Sequence, residues 1–438
     1  WEIAAEDVTS STKKIDGSHI KLYLTSVNSS GVETEVMAPT AYKSLTEANN
    51  DTGRPANQMS LATGTTDTSF STKYRLRMYV DESYNPQGDG GDLSFSIKVN
   101  VYGKVKDKPT GAETLVAKAN LETLDYNSAT TDQKNQMWAF SHEATTQLKA
   151  TTDYRYIGAN PNNYVKFNNE LWRIIGVFDV DDGTGKIEKR MKIIRNESIG
   201  NYSWDNKNTS TGAEADLGKN NWSDARLNYL LNPGHESETN GGSLYWNRKS
   251  GTCYTGERNA ITSCDFTSTG LTDEAKLMIG DAKWYLGGTY EYASSSNGLA
   301  SHFYSYERGT ARYNSSRSTN WTGKVGLMYP SDYGYATSGG SSKNRASCMA
   351  KELYRWYDSS YSYSDCYNND WLLNTSPHQW TMSPLAAYSY NVFVVGTAGY
   401  VSNSVASNNY AARPVVHLKS TIKVISGSGT TSSPFILG

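Results

Sequence analysis

Residues 92–105 read DLSFSIKVNVYGKV, and apolar and polar side chains alternate along most of the stretch. A period of two buries one face of a strand and wets the other, as in an antiparallel sheet packed on one side. The same alternation runs through HIKLYLTSV (19–27) and KYRLRMYVDE (73–82). Together these segments predict a β-sandwich over residues 15–105. The turn-rich stretch SYNPQGDGG (83–91) between the last two strands is expected to be a hairpin connection.

Beyond this region the pattern changes. Residues 106–153 lose the alternation, gain Ala, Lys, Thr and Gln, and open with Pro109 and Gly111, which marks a connecting segment. It is long for a bare linker, so part of it should be structured. A second domain is expected over residues 154–438. It begins with the strands YVKF (164–167), LWRIIGVF (171–178) and RMKIIRN (190–196), the last two joined by the turn DVDDGTGK (179–186). Two helices are predicted, Ser223–Asn232 with Ser223 as N-cap and Thr272–Leu286 with Thr272 as N-cap. The fold class expected is therefore mainly β, with an α+β second domain.

Composition narrows the function. A chain of 438 residues exceeds one ordinary domain. Its net charge of −2 supplies no basic field for nucleic acid. No apolar run approaches the roughly 18–20 residues of a membrane span. The 32 tyrosines and 11 tryptophans provide the apolar area that disordered chains lack.

Cys253, Cys264, Cys348 and Cys366 make two pairs close in sequence. Three pairings exist in principle. Cys253 with Cys264 and Cys348 with Cys366 is favoured, because each closes a short loop in an oxidising compartment. No C-x-x-C spacing or matching histidine suits zinc.

No catalytic or cofactor motif emerges. His19, His142, His235, His302, His378 and His417 are isolated, and no nucleophile elbow, P-loop or dinucleotide fingerprint is present. Asp179, Asp181 and Asp182 superficially resemble a calcium loop, but strands flank them where an EF-hand has helices, so a charged hairpin turn is expected. The expectation is a protein without enzyme activity, metal or cofactor.

Two loops rich in Tyr, Trp, Ser and Asn are candidate ligand surfaces, since Tyr offers contact area at low entropic cost. Their aromatics are Tyr304, Tyr306, Tyr313 and Trp321 in residues 302–321, and Trp356, Tyr361, Tyr363 and Trp371 in residues 352–371. The alternative is that these rings are core.

The chain opens WEIAAEDVTSS, with Trp1 where an initiator Met would stand. A cleaved export signal would leave such a start, as would arbitrary trimming. Residues 1–14 precede the expected sandwich and carry Trp1, Ile3 and Val8. They predict an arm that inserts as a strand into a neighbouring copy, head to tail. The alternative is an arm folded back as an edge strand of its own sandwich.

Two resemblances follow from these segments. IKLYLT, KYRLRMYVDE and FSIKVNVYGKV, within residues 19–105, resemble the TasA and camelysin type of secreted subunit, a jelly-roll sandwich of Gram-positive bacteria that builds extracellular fibres. From Tyr154 to Gly438, PNNYVKFNNELWRIIGVF, AKWYLGG, GLMYPSDYGYAT, RPVVHLKS and SGSGTTSSPFIL look like a module of Firmicutes surface proteins. Its layout is similar to the C-type-lectin-like fold shared with formylglycine-generating enzymes. That fold implies that LWRIIGVF and RPVVHL lie side by side. The reactive cysteine pair of the enzyme branch has no match in Cys348 and Cys366, so the resemblance implies display without catalysis. The function expected is a secreted subunit of an extracellular filament on a Gram-positive cell surface, polymerising with itself and displaying a lectin-like module. The alternative is a monomeric adhesin that binds a glycan or protein through its aromatic loops.

Overall fold

The structure, a computed structural model, describes all residues except 47–51, 67–70, 87–91, 105–108, 145–148, 208–211, 359, 361–362 and 375. The chain is mainly β and forms two compact units, Trp1–Asp107 and Lys108–Gly438. No helix among the described residues is long and apolar enough to cross a membrane.

In the N-terminal unit the strands are β1 (Glu2–Asp7), β2 (Ile20–Val27), β3 (Glu33–Ala41), β4 (Met59–Thr63), β5 (Lys73–Val80) and β6 (Ile97–Tyr102). They form two antiparallel three-stranded sheets, ordered β4-β1-β6 and β3-β2-β5. Ile3, Ala5, Leu61 and Ala62 of the first sheet share one core with Ile20, Leu22 and Leu24 of the second, so the sheets pack face to face. The alternation of β2 is explained by this arrangement, because its Ile20, Leu22 and Leu24 are the inward face.

Two expectations are corrected here. β5 and β6 belong to different sheets, so they are not the two arms of a hairpin; of the stretch 83–91 expected to connect them, 87–91 lie outside the described residues. The segment 1–14 is no separate arm, because β1 is the middle strand of its sheet, paired with both β4 and β6.

In the C-terminal unit a ten-stranded sheet is built on Glu170–Asp181, whose Trp172, Ile174 and Val177 are fully buried. A strand covered on both faces reads as a continuous apolar run, as LWRIIGVF does. It pairs with Ile187–Arg195 through the predicted turn, where Asp181 Oδ1 accepts the Gly183 and Gly185 N–H groups at 2.8 and 3.0 Å. Gly176 is required where this strand also meets Thr151–Arg155, since a Cβ there would stand 2.1 Å from the Tyr154 carbonyl oxygen. A second, five-stranded sheet contains Gln379–Pro384 and Asn391–Val395.

Residues 106–153 are not a connection. The helix Gly111–Val116 buries Ala112 and Leu115 in the main core, and Trp138–His142 pairs with Thr151–Arg155, which itself pairs with Glu170–Asp181. The domain boundary therefore falls near residue 107. The implied pairing of LWRIIGVF with RPVVHL is also absent, because Val415–His417 lies against Ile187–Arg195. The final strand, Phe435–Leu437, runs parallel to Tyr164–Phe167 instead.

Of the two predicted helices, Thr272 caps Asp273–Met278 as expected, its Oγ1 accepting the Ala275 N–H at 3.2 Å. The helix stops at Met278, and Ala282–Tyr285 is a strand paired with Asn320–Gly323. Ser223 is not a cap. It sits in a 3₁₀ turn, and the helix Arg226–Leu231 takes its cap from the distant Asp205, whose Oδ1 accepts the Arg226 N–H at 3.1 Å.

Both disulfides form as paired by spacing. Cys253–Cys264 bridges the hairpin Ser250–Tyr254/Ile261–Asp265, and Cys348–Cys366 joins the helices Arg345–Met349 and Ser364–Asn368. Replacing Cys348 and Cys366 together by Ser is expected to cost about 3 kcal/mol, the chain-entropy value for a loop of this size. A denaturant midpoint unchanged from wild type would contradict it.

Candidate functional site

The N-terminal unit holds the residues expected to drive assembly, in an unexpected arrangement. Ile3 is buried in the unit's own core. The Trp1 ammonium donates to the Gly64 carbonyl at 2.8 Å, and its indole lies 5.9 Å from the Tyr74 ring. Val8 is 46% exposed. The N-terminal strand is thus occupied within its own sandwich.

Apolar surface is open elsewhere. In the β2–β5 register Met78 stands opposite Leu22 and Val80 opposite Ile20, so both point to the core face. In the β1–β6 register Val99 stands opposite Ala5 and Val101 opposite Ile3, again on the core face. Yet these residues are 44, 42, 45 and 73% exposed. The reason is topological. β5 and β6 are each the edge of a three-stranded sheet, and β3 approaches β4 along one side of the sandwich, which leaves β5 and β6 on the other. Among the described residues of this unit no strand covers that side. The β3 edge differs, since it carries Pro39, which has no N–H to offer an incoming strand.

Charges on the outer face lock the strands that present this opening. Arg77 of β5 grips Glu33 of β3 with two hydrogen bonds of 2.8 and 2.9 Å, and Thr25 of β2 donates to the same carboxylate at 2.8 Å. Arg77 together with Thr25 holds Glu33 down at about 2. A cross-strand cluster of this kind fixes register.

The alternation of residues 73–82 and 92–105 predicts one buried face for each strand, and Met78, Val80, Val99 and Val101 lie on that face. Exposure follows from their being on edge strands, and strand order is not written in a period of two.

The aromatic loops of the C-terminal unit are corrected in large part. Tyr304, Trp356 and Trp371 are buried in the core, and the Trp371 indole N–H donates to the Tyr156 carbonyl at 2.9 Å. Trp321 and Tyr363 pack against the core partly buried, and Tyr306 is half-buried. Tyr313 is exposed, and Tyr361 lies outside the described residues. Among the described residues the rings do not gather into one ligand surface, because Tyr304, Trp356 and Trp371 fill the interior.

No family model, curated protein or solved structure matches this chain. Its two disulfides fit a secreted or extracellular protein.

Proposed function

We propose that the protein is an extracellular structural subunit that associates with further copies of itself through the open side of its N-terminal sandwich, and so displays its C-terminal unit in a repeating array. The observation that carries this reading is the exposure of Met78, Val80, Val99 and Val101 on two free strand edges. Free apolar edges template strand pairing, and soluble proteins ordinarily blunt them. The β6 edge of one copy beside the β5 edge of the next is a contact between unlike surfaces, which propagates as a filament when it does not close. The resemblance of residues 19–105 to TasA-type fibre subunits supports the same reading, as does the secreted character implied by the disulfides.

Val99→Lys with Val101→Lys tests it. Both side chains are solvent-exposed, so the melting transition should stay near that of wild type. The wild-type chain is expected to sediment as concentration-dependent oligomers and to form filaments visible by electron microscopy, and the double variant to remain monomeric. A wild-type chain that stays monomeric at all concentrations, or a variant that assembles unchanged, would refute the proposal.

A further inference from the structure

The C-terminal unit contains a groove of about 480 Å³, whose lining includes His142, Asp153, Lys283, Tyr285, Tyr304 and Arg308. That size falls in the range of small-molecule sites. Its floor is held by a chain of buried alternating charges. The His142 Nε2 atom lies 3.2 Å from Asp153 Oδ2, which also accepts from Arg155 Nη2 at 2.9 Å. Arg155 Nη1 donates to Asp332 Oδ1 at 2.9 Å, and Lys192 donates to the other Asp332 oxygen. The Tyr304 ring is clasped on two sides. The His142 ring stacks on it at 3.8 Å and 6°, and the Arg308 guanidinium lies 3.5 Å from the same centroid. Two groups that close to one ring must take opposite faces.

Two charged side chains of this floor keep an unused edge. All hydrogen bonds of Arg308 among the described residues leave from Nη1, to the Tyr304 carbonyl at 3.2 Å and to Glu307 Oε2 at 3.3 Å. Its Nε and Nη2 make none, and they are not among the sealed polar atoms that lack a partner, so they keep access to solvent on a side chain that lines the groove. By the same reasoning Asp153, 2% exposed in the groove wall, uses only Oδ2 and leaves Oδ1 without a partner but not sealed from solvent. Asp153 and Arg308 form no ion pair with each other, although both line the groove. Burial works against the charge on Asp153, but the neighbouring Arg155 and His142 hold its carboxyl below the ordinary range, so it is ionised at neutral pH.

We infer that the groove binds a free α-amino acid, with its carboxylate on the Nε–Nη2 edge of Arg308 and its ammonium on Asp153 Oδ1. The side-on edge of a guanidinium matches a carboxylate with two parallel hydrogen bonds. A simple anion would meet Arg308 but also the field of Asp153, and a simple cation the reverse. A molecule carrying both charges satisfies both groups and leaves neither desolvated and unpaired. This inference is independent of self-association, because it concerns the C-terminal unit alone.

Isothermal titration of the full chain with the twenty common amino acids tests it. Sodium acetate, ethylammonium chloride and glucose at matched ionic strength are the controls. At least one amino acid is expected to bind saturably at millimolar concentration or tighter, with acetate and ethylammonium at least tenfold weaker. Arg308→Lys keeps the charge but loses the side-on edge, and should weaken that amino acid about tenfold or more. If Arg308→Lys fails to fold, the wild-type panel decides by itself. Binding of acetate as tight as that of any amino acid, binding of glucose alone, or no binding by any amino acid would each overturn the assignment, as would a folded Arg308→Lys with unchanged affinity.

Discussion

Deleting Trp1–Asp7 is expected to unfold the whole N-terminal sandwich, not to release an intact monomer from its neighbours. β1 is the middle strand of its sheet, and Ile3, Ala4 and Ala5 are buried. Losing a buried Ile side chain alone costs about 2–5 kcal/mol. The deletion also removes Glu2, which is 1% exposed and accepts from Arg54 Nε at 2.9 Å and from Thr52 at 2.9 Å. Breaking a buried ion pair by removing one member costs about 3–5 kcal/mol, because the other charge stays in the interior. β4 and β6 would lose their shared hydrogen-bonding partner as well. These losses match or exceed the roughly 5–15 kcal/mol that holds an ordinary domain together. The deletion variant should therefore lose protease protection across its remaining residues 8–107. The single change Glu2→Ala should cost about 3–5 kcal/mol, read as a lowered denaturant midpoint. Undiminished protection in the deletion variant would show that β1 is dispensable.

The second large effect concerns where the C-terminal unit begins. A fragment of residues 154–438 is expected not to fold, and one of residues 109–438 to fold cooperatively. The shorter fragment loses Ala112, Leu115, Met137, Trp138 and Phe140, all buried. It also loses Asp153, leaving Arg155 buried with Asp332 as its remaining carboxylate. Truncating a single buried Phe or Trp costs about 3–5 kcal/mol, so the sum exceeds the stability of a typical domain. Heteronuclear spectra or limited proteolysis of the two fragments distinguish the cases. A well-dispersed, protease-resistant 154–438 fragment would return the boundary to residue 154.

What was legible in the sequence was local. The positions of strands β2 and β5, the inward alternation of β2, the hairpin turn after Asp181, the Thr272 cap and both disulfides depend on neighbours within about twenty residues, and each is where it was expected. What was not legible depends on remote partners. EIAAED shows no strand alternation because Glu2 is buried too, which makes sense only beside Arg54. AKWY reads as the end of a helix until Asn320–Gly323 pairs with it. The groove joins His142 and Asp153 to Tyr304 and Arg308, about 150 residues apart, and no spacing rule links them. Edge strands were invisible for the same reason, since a residue's neighbours within its strand say nothing of which strand comes next to it.

Strand order also sets a timetable. Glu2 of β1 pairs with Tyr102 of β6, and Val165 pairs with Phe435 near the other end of the chain. In each unit an early strand waits for a late one. A chain emerging from its N-terminus exposes the β1 edge until β6 has followed about a hundred residues later, and the Tyr164–Phe167 edge until Phe435–Leu437 has been made. Long-range pairing of this kind folds slowly and leaves unpaired edges on display meanwhile. The nascent molecule thus passes through a period in which its first strand is available to a neighbouring chain, and whether a copy completes itself or is completed by another becomes a contest between two rates.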